Sequence, residues 1–431
     1  MLGVMKITPI LFILLFSFSA QANWKFSGSA GPYVNALTLP SSSLTPTTKS
    51  GLVTELKLDK KASHDWRFKS ELILRSDFLA KDSIETFQWI PRSFYAQKKT
   101  SALTFRLGYQ TLSIDGPDVI NPADIVHSKN WIDPTNPITM GSAGLSVSQE
   151  IDAWNWEIFY IPYQTAPVLP GEHSPWLPRK NRLPLESENI EFRIPNNTQY
   201  QYLDSRQLHH ALLHNIAAKV QRKTENLEVQ AVYYEGLSQT PFVLTRVGAN
   251  IIQTMPTQIF EVNSTVKLLP LYYRQQAVAG TFLIPLNTWA IKGGMNWMKP
   301  YKDSRVPSET KTAVVGVEKN IETSLGMVTG IFQYIHQERL NSTQISFLRS
   351  FFEKAWSGGL RIPWGEETSF LLGGIYDQVG KSSLYKLSAN HRLTNSWSLE
   401  AAAQYLQGPD KTLVGLYDRY DSYQLKALYY W

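Results

Sequence analysis

Apolar and polar residues alternate with period two along most of this chain. Leu52, Thr54, Leu56 and Leu58 oppose Glu55, Lys57 and Asp59. Leu103, Phe105, Leu107 and Tyr109 oppose Thr104, Arg106 and Gln110. The same rhythm runs through 154–160, 227–233, 289–297 and 397–405. Successive side chains of a strand point to opposite faces, so each segment predicts a strand with one apolar and one polar face. Each is about ten residues long, the length a tilted strand needs to cross a bilayer.

The connections alternate too. Tight turns are expected near 60–62, 99–101, 152–153, 223–225, 286–287 and 394–395. Longer stretches fall at 37–50, 76–87, 111–142, 162–207, 237–271, 300–310, 338–348 and 408–418. Short turns at one end and long loops at the other are the asymmetry of a bacterial outer-membrane barrel. The fold class predicted is all-β, a transmembrane antiparallel β-barrel of about 16–18 strands, the count being even in such barrels.

The termini fit this reading. In DSYQLKALYYW, 421–431, Tyr423, Leu425, Ala427, Tyr429 and Trp431 share one face, as in a closing strand with its last ring at the interface. At the other end Lys6 precedes a mostly apolar run from Ile7 to Phe18, and Ala20-Gln21-Ala22 is a cleavage signature. Residues 1–22 are therefore expected to be a cleaved signal peptide and 23–431 the barrel. The chain has no cysteine, which excludes a lipoprotein anchor and a disulfide-stapled module.

Composition changes this picture little. No further run of about 18 apolar residues exists for a spanning helix, while aromatics reach 12%. The mean hydropathy of -0.23 suits a barrel with polar loops and lumen. The net charge of +6 is spread along the chain without a basic run, so no nucleic-acid partner is expected.

Three connections are long enough to carry function. Segment 111–142 holds Pro117, Pro122, Pro134 and Pro137; segment 162–207 holds seven prolines; segment 237–271 is more apolar and could hold a short hairpin. A wide barrel leaves an aqueous channel unless something fills it, and a loop folded inward narrows it. Asp115, Asp118, Asn121 and Asp124 follow a strand directly, with Arg106 and Gln110 on that strand. One reading is a polar constriction in which carboxylates face cations across the lumen and screen solutes by charge. The other is a set of Asx-turns and caps in a rigid loop.

FRLGYQTLSIDGPDVINPADIV, ending at Val126, resembles the pattern R-x-G-x-Q … G-x-x-D-x-x-N-P-x-D of a family of Gram-negative outer-membrane barrels. That family carries no assigned function and is broadly similar to alginate-export and phosphate-selective porin-like barrels. Further matching segments hold Pro162, Pro170, Pro175, Trp176 and Pro178, then Gly236 and Pro241, then YRQQAVAGTFLIPLNTWAIKGGMNW. The resemblance covers roughly Ala96 to Trp297. It implies a barrel in the bacterial outer membrane. The chain departs from the pattern where Ile114-Asp115-Gly116 replaces a frequent Trp-Gly pair and Gly294 a frequent acidic residue. Lys426 replaces the usual small residue of the C-terminal assembly signal.

Enzyme readings find little support. The chain has no G-x-S-x-G elbow and no H-E-x-x-H. His209, His210 and His214 cluster near Asp204. On a strand His210 and His214 would share a face about 13 Å apart, too far for one metal.

The expected function is a porin-like channel for passive passage of small solutes, with no cofactor and no metal. Arg106, Gln110, Asp115, Asp118, Asn121, Asp124 and Arg179 are the constriction candidates. Trp154, Trp289, Trp297, Trp397, Tyr429 and Trp431 are the interface aromatics. The expected partners are outer-membrane lipid, the barrel-assembly machinery and small solutes; monomer and trimer both fit the pattern. Three rivals stand beside it. They are a transporter of hydrophobic compounds or lipids whose lumen is plugged by 237–271, a barrel enzyme, and a structural or adhesion barrel.

Overall fold

A computed structural model describes residues 24–38, 48–62, 65–177, 190–195, 197–207, 210–301, 306, 309–340, 352–409, 412, 414–418 and 420–431. The expected signal peptide, Arg179 and His209 lie outside these residues. Eighteen strands form one sheet. They are β1 (Trp24–Leu37), β2 (Thr48–Lys61), β3 (Trp66–Asp77), β4 (Phe87–Lys99), β5 (Thr104–Gln110) and β6 (Ser142–Ile151). Next come β7 (Trp154–Tyr163), β8 (Leu213–Lys223), β9 (Glu228–Leu237), β10 (Arg274–Leu286), β11 (Trp289–Pro300) and β12 (Glu309–Thr323). The last six are β13 (Gly326–Leu340), β14 (Lys354–Trp364), β15 (Thr368–Asp377), β16 (Ser382–Arg392), β17 (Trp397–Gln407) and β18 (Ser422–Tyr430).

Each strand pairs antiparallel with its neighbours in sequence, and β1 closes on β18 with Ser29 opposite Tyr430 and Leu37 opposite Ser422. Closure leaves no sheet edge, so every barrel strand finds its backbone partners within the sheet, as lipid demands. Trp24 and Trp431, the first and last described residues, lie at the end with the short turns. Two of those turns place Asp152 and Asn287 at φ 51° and 52°. Such positive φ is what a two-residue hairpin turn needs and what Asp and Asn tolerate.

The register sorts the two faces as the alternation predicts. Outward positions carry large apolar side chains on every side of the barrel, among them Leu52, Leu107, Trp154, Ile158, Met295 (65% exposed), Leu372 and Leu425. A continuous apolar belt of this kind is stable only against lipid. At the short-turn rim the belt ends in rings. Trp397 lies 5.2 Å from Tyr429, Phe26 6.0 Å from Trp431, and the Trp289 ring 4.6 Å from the Lys319 ammonium. Trp154 sits there as well, under Arg222. Trp297 stands toward the loop end, hydrogen-bonded to Glu309. No helix among the described residues is long and apolar enough to cross a membrane.

The strand count settles at the upper expectation. Turns at 324–325 and 365–367 and a four-residue connection at 378–381 add to the connections read from sequence. Segment 237–271 holds more than one hairpin. Besides Ala249–Gln253 and Gln258–Val262 it contributes Phe242–Arg246 and Thr265–Tyr272. Gln258–Val262 pairs in parallel with Ile190–Arg193, and Thr265–Tyr272 pairs in parallel with Gln199–Tyr202 and Arg206–Gln207, all from the preceding long loop. The two loops therefore build a joint cap over the long-loop end, with cores around Leu268 and Leu271.

Candidate functional site

Strand β5 stops after seven residues, at Gln110, and the chain turns into the barrel. Leu112, Ala123, Ile125 and Val126 pack against the inward side chains Phe159, Ile161, Ala217, Val232, Tyr234, Ala277 and Ala279. Ile120 reaches farther round, to Val314, Ile335 and Ala355. Small inward residues on β8–β10 leave room for the segment. At Gly294 the fit is tight, because a Cβ there would come within 2.9 Å of Pro122 Cγ. A glycine at this position is thus what lets Pro122 lie on the wall, and Asn296 Nδ2 donates to the Pro122 carbonyl at 2.7 Å.

Polar contacts fix the same segment. Lys219 Nζ donates to the Ser113 carbonyl at 2.9 Å and Thr281 Oγ1 to the Asp115 carbonyl at 3.0 Å. Asp115 accepts from Gln221 at 3.3 Å. Asp118 binds Lys292 at 2.8 Å, and Lys292 also lies 2.6 Å from Glu318. Burial opposes ionisation of Asp118. Its hydrogen bonds with Glu318 and Lys292, and the charges of Lys292 and Arg361, outweigh burial and hold its carboxyl below the usual carboxylate range.

The candidates read from sequence separate into groups. Asp115 and Asp118 are exposed to the lumen. Arg106 also faces inward, but its guanidinium engages Glu157 at 3.0 Å and Gln97 at 3.3 Å, not the aspartates. Gln110 is not pore surface. It is 2% exposed, hydrogen-bonded to Gly144 and Ser146 under the segment. Asn121 turns back on its own loop, donating to the Ile114 carbonyl and accepting from the Ala123 N–H, both at 3.0 Å. Asp124 pairs with Lys129 at 2.8 Å and accepts from Gln239 of the cap. For Asn121 the turn-and-cap reading is the one the contacts match, whereas Asp124 is held by an ion pair and by the cap. Lys292, Glu318 and Lys219 escaped notice in the sequence because each meets the segment only through the barrel's closure.

The wall facing the segment, β16–β18 and β1–β4, is charged. Asp59 stands between Lys25 and Lys69 in register and pairs with Arg67. Glu55 pairs with Lys57, Glu71 with Arg92 and Glu400 with Lys426. Lys25, Lys69 and Lys386, with Arg361 on β14, have no carboxylate within ion-pair distance among the described residues. The lumen thus carries two loop carboxylates on one side, near Arg361, and the unpaired Lys25, Lys69 and Lys386 on the other.

A second segment, 164–177, crosses the long-loop mouth. Gly171 N–H donates to Glu85, which binds Lys49 at 2.5 Å, and His173 meets Asp82 through its backbone N–H and Nδ1, both at 2.8 Å. Trp176 then reaches the far wall and packs with Leu37, Leu406, Val414 and Tyr420. A pocket of about 10 Å³ remains between Trp176, Ile132 and the inner wall at Tyr33, Lys49 and Asp77.

His127 joins the two layers. It is 2% exposed, with Nε2 2.7 Å from the Leu112 nitrogen, beside Phe159. Burial lowers its pKa from the ordinary 6.5, Lys129 in the same sense, against the opposing pull of Asp124 and the Leu112 carbonyl. An undocked imidazole keeps the ordinary value. Docking is therefore fully favourable above pH 6.5 and weakens as pH falls below it, where only the undocked loop takes up the proton. Hydrogen-exchange protection of the Leu112 amide, corrected for intrinsic rate, is expected to fall toward about pH 5 in the wild type and to stay level in His127→Gln. The same slope in both proteins would mean that His127 does not control docking.

A closed lipid-facing barrel with an inward constriction segment defines an outer-membrane β-barrel protein. Solved structures share this fold. OccAB2 of Acinetobacter baumannii matches with TM-score 0.52 at 10% identity, over 95% of this chain and 98% of that one. OccAB3 of the same organism matches at 0.52 and 8%, over 95% and 99%. OpdQ of Pseudomonas aeruginosa matches at 0.50 and 11%, over 95% and 97%. At these identities the likeness is one of fold. No family profile and no curated relative matches the sequence.

Proposed function

We propose that this barrel is a channel for passive passage of small solutes, with a transverse field at its constriction. The observation that carries the reading is the placement of 111–126 along half the inner wall, with Asp115 and Asp118 turned to a lumen whose other side holds Lys25, Lys69 and Lys386. Opposed fixed charges at a narrowing sort solutes by charge and dipole. No step needs a cofactor. Outer-membrane lipid, the assembly machinery and the solutes are its partners, and 1–22 directs export. The run from Arg106 to Asp124 supports membership in the barrel family of unknown function that it resembles. The strap of 164–177, anchored across the mouth by Trp176, Glu85 and Asp82, adds a gate to this reading.

Planar-bilayer recordings of refolded 23–431 test this. Asp115→Asn with Asp118→Asn is expected to shift the reversal potential in a salt gradient toward anion selectivity. Lys25→Met with Lys69→Met is expected to shift it the other way. A folded barrel that conducts in none of these forms, nor with the strap released, would sink the channel reading in favour of a plugged transporter.

A further inference from the structure

We infer that the cap carries a separate binding site for an oxyanion on a hydroxylated carrier, in the manner of a sugar phosphate. In the antiparallel pair formed by Phe242–Arg246 and Thr265–Tyr272, Arg246 stands directly opposite Lys267. Directly opposed residues share one face with Cβ atoms about 5 Å apart, and like charges there are destabilising. Neither cation has a carboxylate partner among the described residues, whereas Arg193 of the same cap binds Glu191 at 2.8 Å. Farther along the same face the opposed pairs are apolar, Leu244 with Leu269 and Phe242 with Leu271. The two charges are thus concentrated at one end of the sheet.

That end opens into a solvent-open hollow of about 590 Å³. Besides the two cations it is lined by Asn263, Ser264 and Thr265, and it contains no carboxylate. Gly248 makes the shape, because a Cβ there would fall 2.4 Å from Asn263 Nδ2, and its carbonyl accepts the Asn263 N–H at 2.8 Å. A guanidinium, an ammonium, two hydroxyls and an amide form a donor-rich set. The guanidinium suits a planar pair of oxyanion oxygens and the hydroxyls suit the carrier. Two sources supply this chemistry: the phosphorylated sugar headgroup of an outer-leaflet lipid, and a soluble sugar phosphate.

The test is saturation-transfer NMR on the refolded protein with glucose 6-phosphate, and with glucose as the uncharged control. Wild type is expected to bind the phosphate ester and not glucose. Arg246→Gln with Lys267→Gln should weaken binding about tenfold or more per cation removed, the scale of a charge-assisted hydrogen bond. Arg193→Gln should leave binding unchanged, and Lys267→Arg should retain it. Competition by diphosphorylated lipid A in nanodiscs assigns the site to the outer leaflet; binding of the soluble ester without such competition assigns it to a solute. Absence of transfer in wild type, or equal binding by wild type and the double glutamine variant with both folded, overturns the inference.

Discussion

Trp176→Ala is expected to hold the channel open far longer than the wild type. The indole is the large apolar side chain by which 164–177 packs on the far wall. It lies 5.9 Å from the Tyr417 ring and 6.3 Å from that of Tyr420, over Leu37 and Leu406. Truncating a buried Trp costs about 3–5 kcal/mol. Here the cost falls on the closed mouth alone, since no barrel strand pair involves Trp176. A difference of about 3 kcal/mol changes the ratio of closed to open by two orders of magnitude. Some hold remains, because the Tyr417 hydroxyl donates to the Trp176 carbonyl and Glu85 and Asp82 still bind the strap. Single-channel records decide the point. Longer openings with unchanged ion selectivity would place the gate at the strap and the filter below it. Traces like those of the wild type would show that the seat of Trp176 does not limit conduction.

The barrel was readable because lipid imposes one rule on every strand. Trp154, Trp156, Ile158 and Tyr160 face out, and Asn155 and Glu157 face in. The same strand also shows where the rule was incomplete. Phe159 and Ile161 are inward yet apolar, so 158–161 is apolar on both faces, the mark of a strand covered on both sides. Val232 with Tyr234, and Ala277 with Ala279, repeat the signal on β9 and β10. Together these positions outline the footprint of the inward segment. What covers them was not readable. Lys292 meets Asp118 across 174 positions and Tyr417 meets Trp176 across 241, and no local pattern encodes such pairs. The connection 378–381 was missed because it is as short as the turns at the opposite rim, so length gave no contrast. Gln110 was misplaced because alternation gives the face of a residue but not what lies over that face.

Ile125→Asp is expected to shift ion selectivity toward anions, as the loss of Asp115 and Asp118 from the constriction does, while leaving the barrel folded. Ile125 is 2% exposed among Leu112, Val126, Phe159 and Tyr234. Its burial contributes about 1.5–3 kcal/mol. A carboxylate in that apolar bed is costly to keep ionised, so it must stay protonated or leave, and either adds to the loss. Once 111–126 lifts from the wall, Asp115 leaves Gln221 and Asp118 leaves Lys292, and the field across the lumen loses its negative side. The strand ladder is untouched, so heat-modifiable mobility on gels should persist. Released from Asp124 and its cover, Lys129 becomes a trypsin site, which gives a readout independent of current. The expected pair of results is a reversal potential that no longer responds to Asp115→Asn with Asp118→Asn, and cleavage at Lys129. Retained selectivity with a trypsin-resistant segment would mean that the polar contacts at Ser113, Asp115 and Pro122 hold the constriction by themselves.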